Sequence, residues 1–95
     1  MIIQVIKLRS DLSEEELLRR ANERAPRFEA LEGLLQKYYV RLEEHGMYGG
    51  IYIWDNVESM VKFRGSELAQ SIPGAYEIKG PPQIELMNVL FQLRD

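Results

Sequence analysis

Side chains with chemical capacity cluster on two short segments of the sequence and on the turn between them. The six candidates are Lys37, Tyr39, Arg41, His45, Tyr52 and Trp54. A lysine flanked by aromatic residues can orient a phenolate, and burial lowers the pKa of such a lysine. Tyrosine and tryptophan can stack on an aromatic ligand and donate hydrogen bonds to it. We therefore predict that Lys37 and Tyr39 are catalytic and that the other four candidates bind a substrate.

Each candidate also has a purely structural interpretation. Aromatic side chains commonly pack sheet cores and dimer interfaces. Lys37 could be a solvated residue that protects a sheet edge. His45, the only histidine, falls in a predicted turn, where solvated side chains are common. The residue types alone leave both interpretations open.

The composition argues against several other kinds of site. Without cysteine the chain has no thiol nucleophile and no disulfide, and one histidine offers no cluster of metal ligands. Gly46, Gly49 and Gly50 fall inside a predicted hairpin, so they do not form a phosphate-binding loop between a strand and a helix. The net charge of −3, with both signs interspersed, gives no basic surface for nucleic acid. We expect no metal, no nucleotide cofactor and no nucleic-acid partner.

Residues 1–95 are expected to form one cytoplasmic domain. The first residues lack the charged leader and long apolar region of a signal peptide. No segment approaches the roughly 20 consecutive apolar residues that span a membrane, so we expect no membrane association. The absence of cysteine suits a reducing compartment.

The strand predicted for residues 48–54 is central to the organisation of the chain. Its isoleucines, Ile51 and Ile53, point to one face, and Tyr52 and Trp54 point to the other. A strand with one wet face would alternate apolar with polar residues. This strand is therefore predicted to be covered on both sides.

The other elements follow from residue periodicity and from helix start and stop signals. The predicted strands cover residues 2–8, 34–43, 48–54 and 84–93. Ser13 is the predicted cap of a first helix, which Pro26 interrupts. Asp55 and Glu58 are predicted to cap a second helix, which Pro73-Gly74 closes.

The two middle strands are predicted to pair as a hairpin. In the favoured register Arg41 opposes Tyr52, and Tyr39 opposes Trp54. A slip of one residue would move these side chains to opposite faces, because side chains alternate along a strand. The register therefore decides which candidate residues are neighbours.

The element order predicts an α+β fold. Strand, helix, strand, strand, helix, strand is the ferredoxin-like βαββαβ arrangement, in which an antiparallel sheet carries both helices on one face. The opposite face of the last two strands is also apolar, and no element remains to cover it. A large exposed apolar face favours association. We therefore predict a homodimer in which two sheets pack face to face.

Two segments carry a resemblance to a known family. They are Leu34-Leu35-Gln36-Lys37-Tyr38-Tyr39 and Gly49-Gly50-Ile51-Tyr52-Ile53-Trp54-Asp55. In residue type and spacing they resemble strands of the small YdhR-type monooxygenases in the dimeric α+β-barrel superfamily, and a looser likeness covers most of the chain. The resemblance implies a dimeric barrel with a pocket between sheet and helices. It also implies a cofactor-independent monooxygenase, without flavin, haem or metal, acting on a small aromatic or polyketide-like substrate.

Two further hypotheses compete with the oxygenase. A non-catalytic dimeric module could bind a small apolar ligand and serve in stress response or regulation. Other chemistry of dimeric barrels, such as lactone isomerisation, would convert substrate without consuming oxygen. Oxygen uptake with anthrones and hydroquinones distinguishes the oxygenase from both.

Overall fold

A four-stranded antiparallel sheet with helices on one face positions the candidate residues. The computed structural model describes all of residues 1–95, and its elements in chain order are β1 (Ile2–Arg9), α1 (Glu14–Glu29), β2 (Leu34–Arg41), β3 (Met47–Trp54), α2 (Val57–Arg64), α3 (Glu67–Gln70), α4 (Ile72–Ala75) and β4 (Gln83–Asn88). The strands lie in the order β2-β3-β1-β4. This is the predicted ferredoxin-like arrangement, with the short helices α3 and α4 added before β4. None of the helices has the length and apolar character needed to cross a lipid bilayer.

The hydrophobic core lies between the helices and one face of the sheet. Alternate residues of β1 are buried there, as the two-residue period of a strand requires. Trp54 is fully buried, and its indole Nε1 donates a hydrogen bond of 2.9 Å to Gln4 Oε1. Phe28 of α1 and Phe63 of α2 pack on Tyr52, with ring centroids 6.4 and 5.4 Å from its own. The centre of the core is therefore aromatic.

Helix α1 begins where the sequence predicts, but it is longer. Ser13 is its N-cap, and the Ser13 Oγ accepts a hydrogen bond of 3.1 Å from the backbone N–H of Glu16. The predicted interruption at Pro26 is wrong, because α1 continues through this residue to Glu29. Proline removes one backbone donor in the last turn. Burial of Phe28 two residues later offsets that loss by holding the turn against the core.

The second helix starts one residue later than predicted and is divided. Asn56, not Asp55, is the N-cap of α2, and its Oδ1 accepts a hydrogen bond of 2.8 Å from the backbone N–H of Ser59. Helix α2 ends before Gly65, and the chain continues as α3 and α4. The Pro73-Gly74 pair lies inside α4 instead of closing a helix. Proline is tolerated there because its missing N–H falls in the first turn, where such groups have no helical partner.

Strand β4 is shorter than the strand predicted for residues 84–93. It ends at Asn88, which pairs with Ile2, the first residue of β1. One more backbone hydrogen bond, of 3.0 Å from the Val89 N–H to the Met1 carbonyl, follows the last pair of the ladder. The segment that follows is both apolar and exposed: Leu90 is 93%, Phe91 79% and Leu93 86% accessible.

The hairpin of β2 and β3 has the predicted faces but a different register. Tyr39 opposes Gly50 rather than Trp54, and Arg41 does not oppose Tyr52, so the predicted pairings are wrong. The offset from prediction is four residues along β3. An even offset keeps each side chain on the same face. The candidate residues of β2 and β3 therefore still share the helix-facing side.

The other face of the sheet, which we call the outer face, carries no helix. Across it Ile3 pairs with Ile53, and Val5 pairs with Ile51. Met87 of β4 lies opposite Ile3 on the other side of β1. The centre of the outer face is therefore apolar, as predicted, whereas Lys7 and Glu85 form an ion pair of 3.7 Å towards its β4 edge.

Candidate functional site

A cavity of about 350 Å³ lies between α1 and the helix-facing side of the sheet. Its walls come from α1, from strands β1, β2 and β3, and from Ile72 and Tyr76 at the two ends of α4. Most of the lining side chains are hydrophobic. Four of the six candidates predicted from the sequence contribute to the lining, namely Lys37, Tyr39, Arg41 and Tyr52. Such an apolar cavity with a few polar groups is typical of a small-molecule site.

Lys37 lies among three aromatic rings in this cavity. Its Nζ is 3.5 Å from the ring centroid of Phe28, 4.3 Å from that of Tyr39 and 4.6 Å from that of Tyr52. We call these three rings the aromatic cage. A glycine at position 50 leaves space for the lysine stem, because a Cβ there would lie 3.3 Å from Lys37 Cε. Lys37 therefore reaches inward over β3 instead of extending into solvent.

Burial changes the acid–base behaviour of Lys37. Burial, and then the positive charge of Arg24, lower the pKa of Lys37 to about 7. Attraction to the electron-rich faces of the cage favours the ammonium form, but desolvation outweighs it. Near neutral pH, both the amine and the ammonium are therefore populated. The amine can accept a proton from a ligand, and the resulting ammonium can stabilise the anion that this transfer creates.

The tyrosines of the cavity have the opposite shift. Burial raises the pKa of Tyr39 to about 12. Burial likewise raises the pKa of Tyr52 and that of Tyr76, although the nearby Arg24 offsets part of the effect on Tyr76. These hydroxyls stay protonated at neutral pH. They can donate hydrogen bonds to a ligand but cannot serve as bases.

An ion pair joins α1 to β2 at the edge of the cavity. Arg41 Nη1 lies 3.0 Å from Glu14 Oε1, and both side chains are exposed. An exposed pair of this kind contributes at most about 1 kcal/mol to stability. Glu14 is the only acidic residue in the lining, and Arg41 neutralises it. The charge left in the interior of the cavity is therefore positive.

Two candidate residues lie away from the cavity. Trp54 stacks on Tyr52, with centroids 6.2 Å apart and planes 3° from parallel, and it is completely buried. Its ring is separated from the cavity by that of Tyr52. His45 is exposed in the turn between β2 and β3, as the structural interpretation of this residue expects.

Sequence reasoning missed three residues of the site. Phe28 completes the aromatic cage, and Arg24 lies over its ring at 5.8 Å and over that of Tyr76 at 5.6 Å. Ala21, Arg24 and Phe28 follow one another at helical spacing, which places them on one face of α1. That spacing could have located Arg24 and Phe28 in the site, if Pro26 had not been interpreted as the end of the helix. Tyr76 follows a short helix that no pattern predicts, so no signal marked it.

The chain is similar to known proteins in structure but not detectably in sequence. No protein-family model matches the chain, and no curated protein matches it at a significant level. Solved structures do match over nearly its whole length. Against a candidate antibiotic biosynthesis monooxygenase from Deinococcus radiodurans the TM-score is 0.76 and the identity 18%, covering 100% of this chain and 98% of that one.

Two further matches have described activities. SnoaB, a cofactor-independent oxygenase from Streptomyces nogalater, has a TM-score of 0.76 and 12% identity, covering 99% of this chain and 97% of its own. MhuD is a haem degrader from Mycobacterium tuberculosis whose structure has two haems bound in its active site. Its TM-score is 0.78 and its identity 14%, covering 99% of this chain and 100% of MhuD. At such identities the likeness establishes a shared fold, that of the antibiotic-biosynthesis-monooxygenase-like proteins.

The haem in MhuD raises the question of whether these residues suit a haem. The cavity lining includes no histidine and no cysteine, and His45 is on the surface. No group of three or more histidine, cysteine, aspartate or glutamate residues is arranged to hold a metal ion. A haem iron in this cavity would depend on Lys37 or a tyrosine for its ligand. The donor set therefore fits an organic ligand better than a haem.

Proposed function

We propose that the chain is a cofactor-independent monooxygenase acting on a small, electron-rich aromatic or polyketide-like substrate. The observation that carries the proposal is Lys37, an amine with a pKa of about 7 held inside a cavity by an aromatic cage. The shared fold with SnoaB supports the same reaction class. A cofactor-free oxygenase needs a base that ionises the substrate and an apolar cavity that excludes water.

Lys37 performs the proton transfer in this proposal. Its neutral amine removes a proton from a phenol or from the activated methylene of an anthrone. The ammonium that forms then stabilises the resulting anion. Tyr39, which also lines the cavity, donates a hydrogen bond to the substrate oxygen, since its hydroxyl stays protonated.

The substrate anion itself supplies the electrons in this proposal. It transfers them to dioxygen inside the cavity, so no external reductant is needed. For an anthrone, the methylene becomes a carbonyl, one oxygen atom of dioxygen remains in the product and the other leaves as water. The ring system packs against the apolar lining of the cavity, beside Tyr39 and Tyr52, whose faces hold Lys37. Arg41 positions the substrate from the edge of the cavity.

We further propose that the working form is a cytoplasmic homodimer of the YdhR type. The uncovered, apolar outer face supports the dimer. The Lys-x-Tyr sequence at Lys37 and the Gly-Gly-Ile-Tyr sequence at Gly49 support the subfamily. The absence of cysteine is consistent with a reducing compartment such as the cytoplasm.

The decisive experiment follows oxygen uptake with a panel of anthrones and hydroquinones. We expect wild type to consume one dioxygen per product. Lys37→Met should lower kcat by about 100-fold, the lower range for loss of a general base. Tyr39→Phe should have a smaller effect, because it removes one hydrogen bond. Lys62→Met, which replaces an exposed lysine on α2, is the matched control and should leave the rate unchanged.

Three outcomes would contradict the oxygenase. Saturable binding without turnover would favour the non-catalytic ligand-binding module. Turnover without oxygen uptake would favour another reaction, such as lactone isomerisation. Full activity in Lys37→Met would remove the lysine from the mechanism.

A further inference from the structure

Lys37 in the cavity and Arg24 beside it carry positive charge that no acidic side chain neutralises. Neither Lys37 nor Arg24 takes part in any ion pair of the chain. Both cations lie against the same ring, with Lys37 Nζ at 3.5 Å and Arg24 Cζ at 5.8 Å from the centroid of Phe28. Folding thus brings two cations into an apolar environment. That arrangement is costly unless a negative partner joins them.

Two polar atoms beside these cations also lack partners. The Tyr76 hydroxyl and Arg24 Nε are both buried without a well-formed hydrogen bond. The Arg24 guanidinium nevertheless lies close enough to this hydroxyl to lower the pKa of Tyr76, so the two groups are neighbours. Arg24 holds its place through one bond of 3.1 Å from Nη2 to Ser71 Oγ. Tyr76 lines the same cavity as Lys37. Buried donors without partners are uncommon in folded proteins, and here they occur beside a cavity.

We infer that the ligand of this cavity carries an oxyanion, and that this group binds between the Lys37 ammonium and the Tyr76 hydroxyl, with Arg24 supplying a second positive charge. The inference rests on the proposed function and specifies its substrate class as an aromatic acid or phenol bound in ionised form. Glu14, the one acid in the lining, does not oppose such a ligand, because Arg41 pairs with it at 3.0 Å. A neutral aromatic ligand would leave both cations without a partner.

Binding of an anion must also change the protonation of Lys37. The titratable groups around this amine are Arg24 on α1, Tyr39 on β2, Tyr52 on β3 and Tyr76 after α4. Glu29 acts on Tyr39 from outside the cavity. None of them supplies negative charge inside the cavity at neutral pH. An incoming oxyanion therefore raises the pKa of Lys37, and binding above pH 7 takes up a proton.

The test is isothermal titration calorimetry of the full chain with 2-naphthoate and with 2-naphthalenemethanol, a neutral aromatic of similar shape. We expect naphthoate to bind at least about tenfold tighter at neutral pH, as one charge-assisted hydrogen bond implies. Arg24→Gln and Lys37→Met should each remove most of that preference. The matched control is Arg27→Gln, an exposed arginine in the last turn of α1 that forms no ion pair, and it should retain the preference.

Proton uptake provides a readout that a structural role would not produce. Titrations at about pH 8 in buffers of different ionisation enthalpy should show up to one proton taken up per naphthoate, and none in Lys37→Met. A third titration, with 2-naphthol, distinguishes a carboxylate ligand from a phenolate. If the phenol binds as phenolate, its proton passes to Lys37, so net uptake falls to zero and the ligand absorbance shifts to longer wavelength.

Several results would overturn the inference. They are equal affinity for the neutral and charged ligands, no binding of either, or an anion preference that survives both substitutions. The outcome is separable from that of the oxygenase proposal. Selective anion binding without oxygen uptake would keep this inference and reject the oxygenase. Oxygen uptake with neutral, non-ionisable aromatics would keep the oxygenase proposal and reject the inference of an anionic ligand.

Discussion

Lys37 is the residue whose environment differs most from what its type prefers. Its amine is held by three rings, while desolvation disfavours its charge. The folded state therefore releases a proton that the unfolded state keeps. The function proposed for this residue would therefore come at a cost in stability.

That cost predicts a specific dependence of stability on pH. Between pH 7 and about 10, the unfolded chain binds more protons at Lys37 than the folded chain does, so the free energy of unfolding rises with pH. Below pH 7 the full penalty applies. The shift corresponds to at most about 5 kcal/mol. The cation–π attraction that is lost with the lysine offsets part of the stability gained by removing it.

Lys37→Met should therefore stabilise the protein at neutral pH by about 2 kcal/mol and flatten the rise toward high pH. Urea denaturation followed by circular dichroism at about pH 6.5 and about pH 9.5 measures both effects. At the upper limit the tyrosines of the unfolded chain, whose ordinary pKa is about 10, are still mostly protonated. Lys62→Met should keep the wild-type slope, and an unchanged slope in Lys37→Met would contradict the burial argument.

Trp54 is predicted to act through stability and not through ligand contact. Trp54→Phe removes the donor to Gln4 Oε1, which would stay buried without a partner. We expect a loss of about 2 to 3 kcal/mol in the free energy of unfolding, with ligand affinity nearly unchanged. The double variant Gln4→Leu/Trp54→Phe should recover part of the loss, because both polar partners are then absent. A large drop in affinity for Trp54→Phe would contradict this assignment.

At the scale of elements, the close approach of α2 to the start of β2 depends on a glycine. Gly33 has φ +82°, and a Cβ there would lie 2.2 Å from Ser59 Oγ. Gly80 has a similar φ of +72°, but nothing lies within 4 Å of its Cβ position. Substituting each glycine in turn therefore distinguishes the cost of backbone strain, present at both positions, from the cost of steric contact, present only at Gly33.

We expect Gly80→Ala to cost about 1 kcal/mol, from the left-handed backbone alone. Gly33→Ala should cost clearly more, about 3 kcal/mol, because the helix must also move. Thermal and urea denaturation of the two variants measure the difference. Equal losses would show that the contact between Gly33 and Ser59 is easily relaxed.

The sequence was sufficient to predict which face of the sheet each strand residue occupies. It was not sufficient to predict the register between β2 and β3. Alternating residues placed Lys37, Tyr39 and Tyr52 on one face correctly, because the strand period fixes the side. The same period says nothing about a shift of four residues, so Tyr39 was matched with Trp54 and not with Gly50. Pro26 illustrates a second limit, since tertiary burial of Phe28 overrode a local helix-breaking signal.

The whole molecule presents an apolar sheet face that the chain itself leaves uncovered. Substitution by glutamate at its centre should prevent two such faces from packing together. We expect wild type to have about twice the mass of the 11.1 kDa chain in light scattering, and Ile51→Glu to have the mass of one chain. Val61→Glu, at an exposed apolar position on α2, is the control and should stay dimeric. A wild-type monomer across a dilution series would reject the proposed assembly.

The stacking of Trp54 behind Tyr52 gives the protein a built-in optical reporter. The chain has one tryptophan, so its tryptophan fluorescence comes from a single, fully shielded indole. That indole is separated from the cavity by one ring, whose centroid lies 6.2 Å away. A quinone-like product in the cavity would therefore lie close enough to quench the emission. The arrival and departure of such a molecule can be followed in real time without attaching a dye.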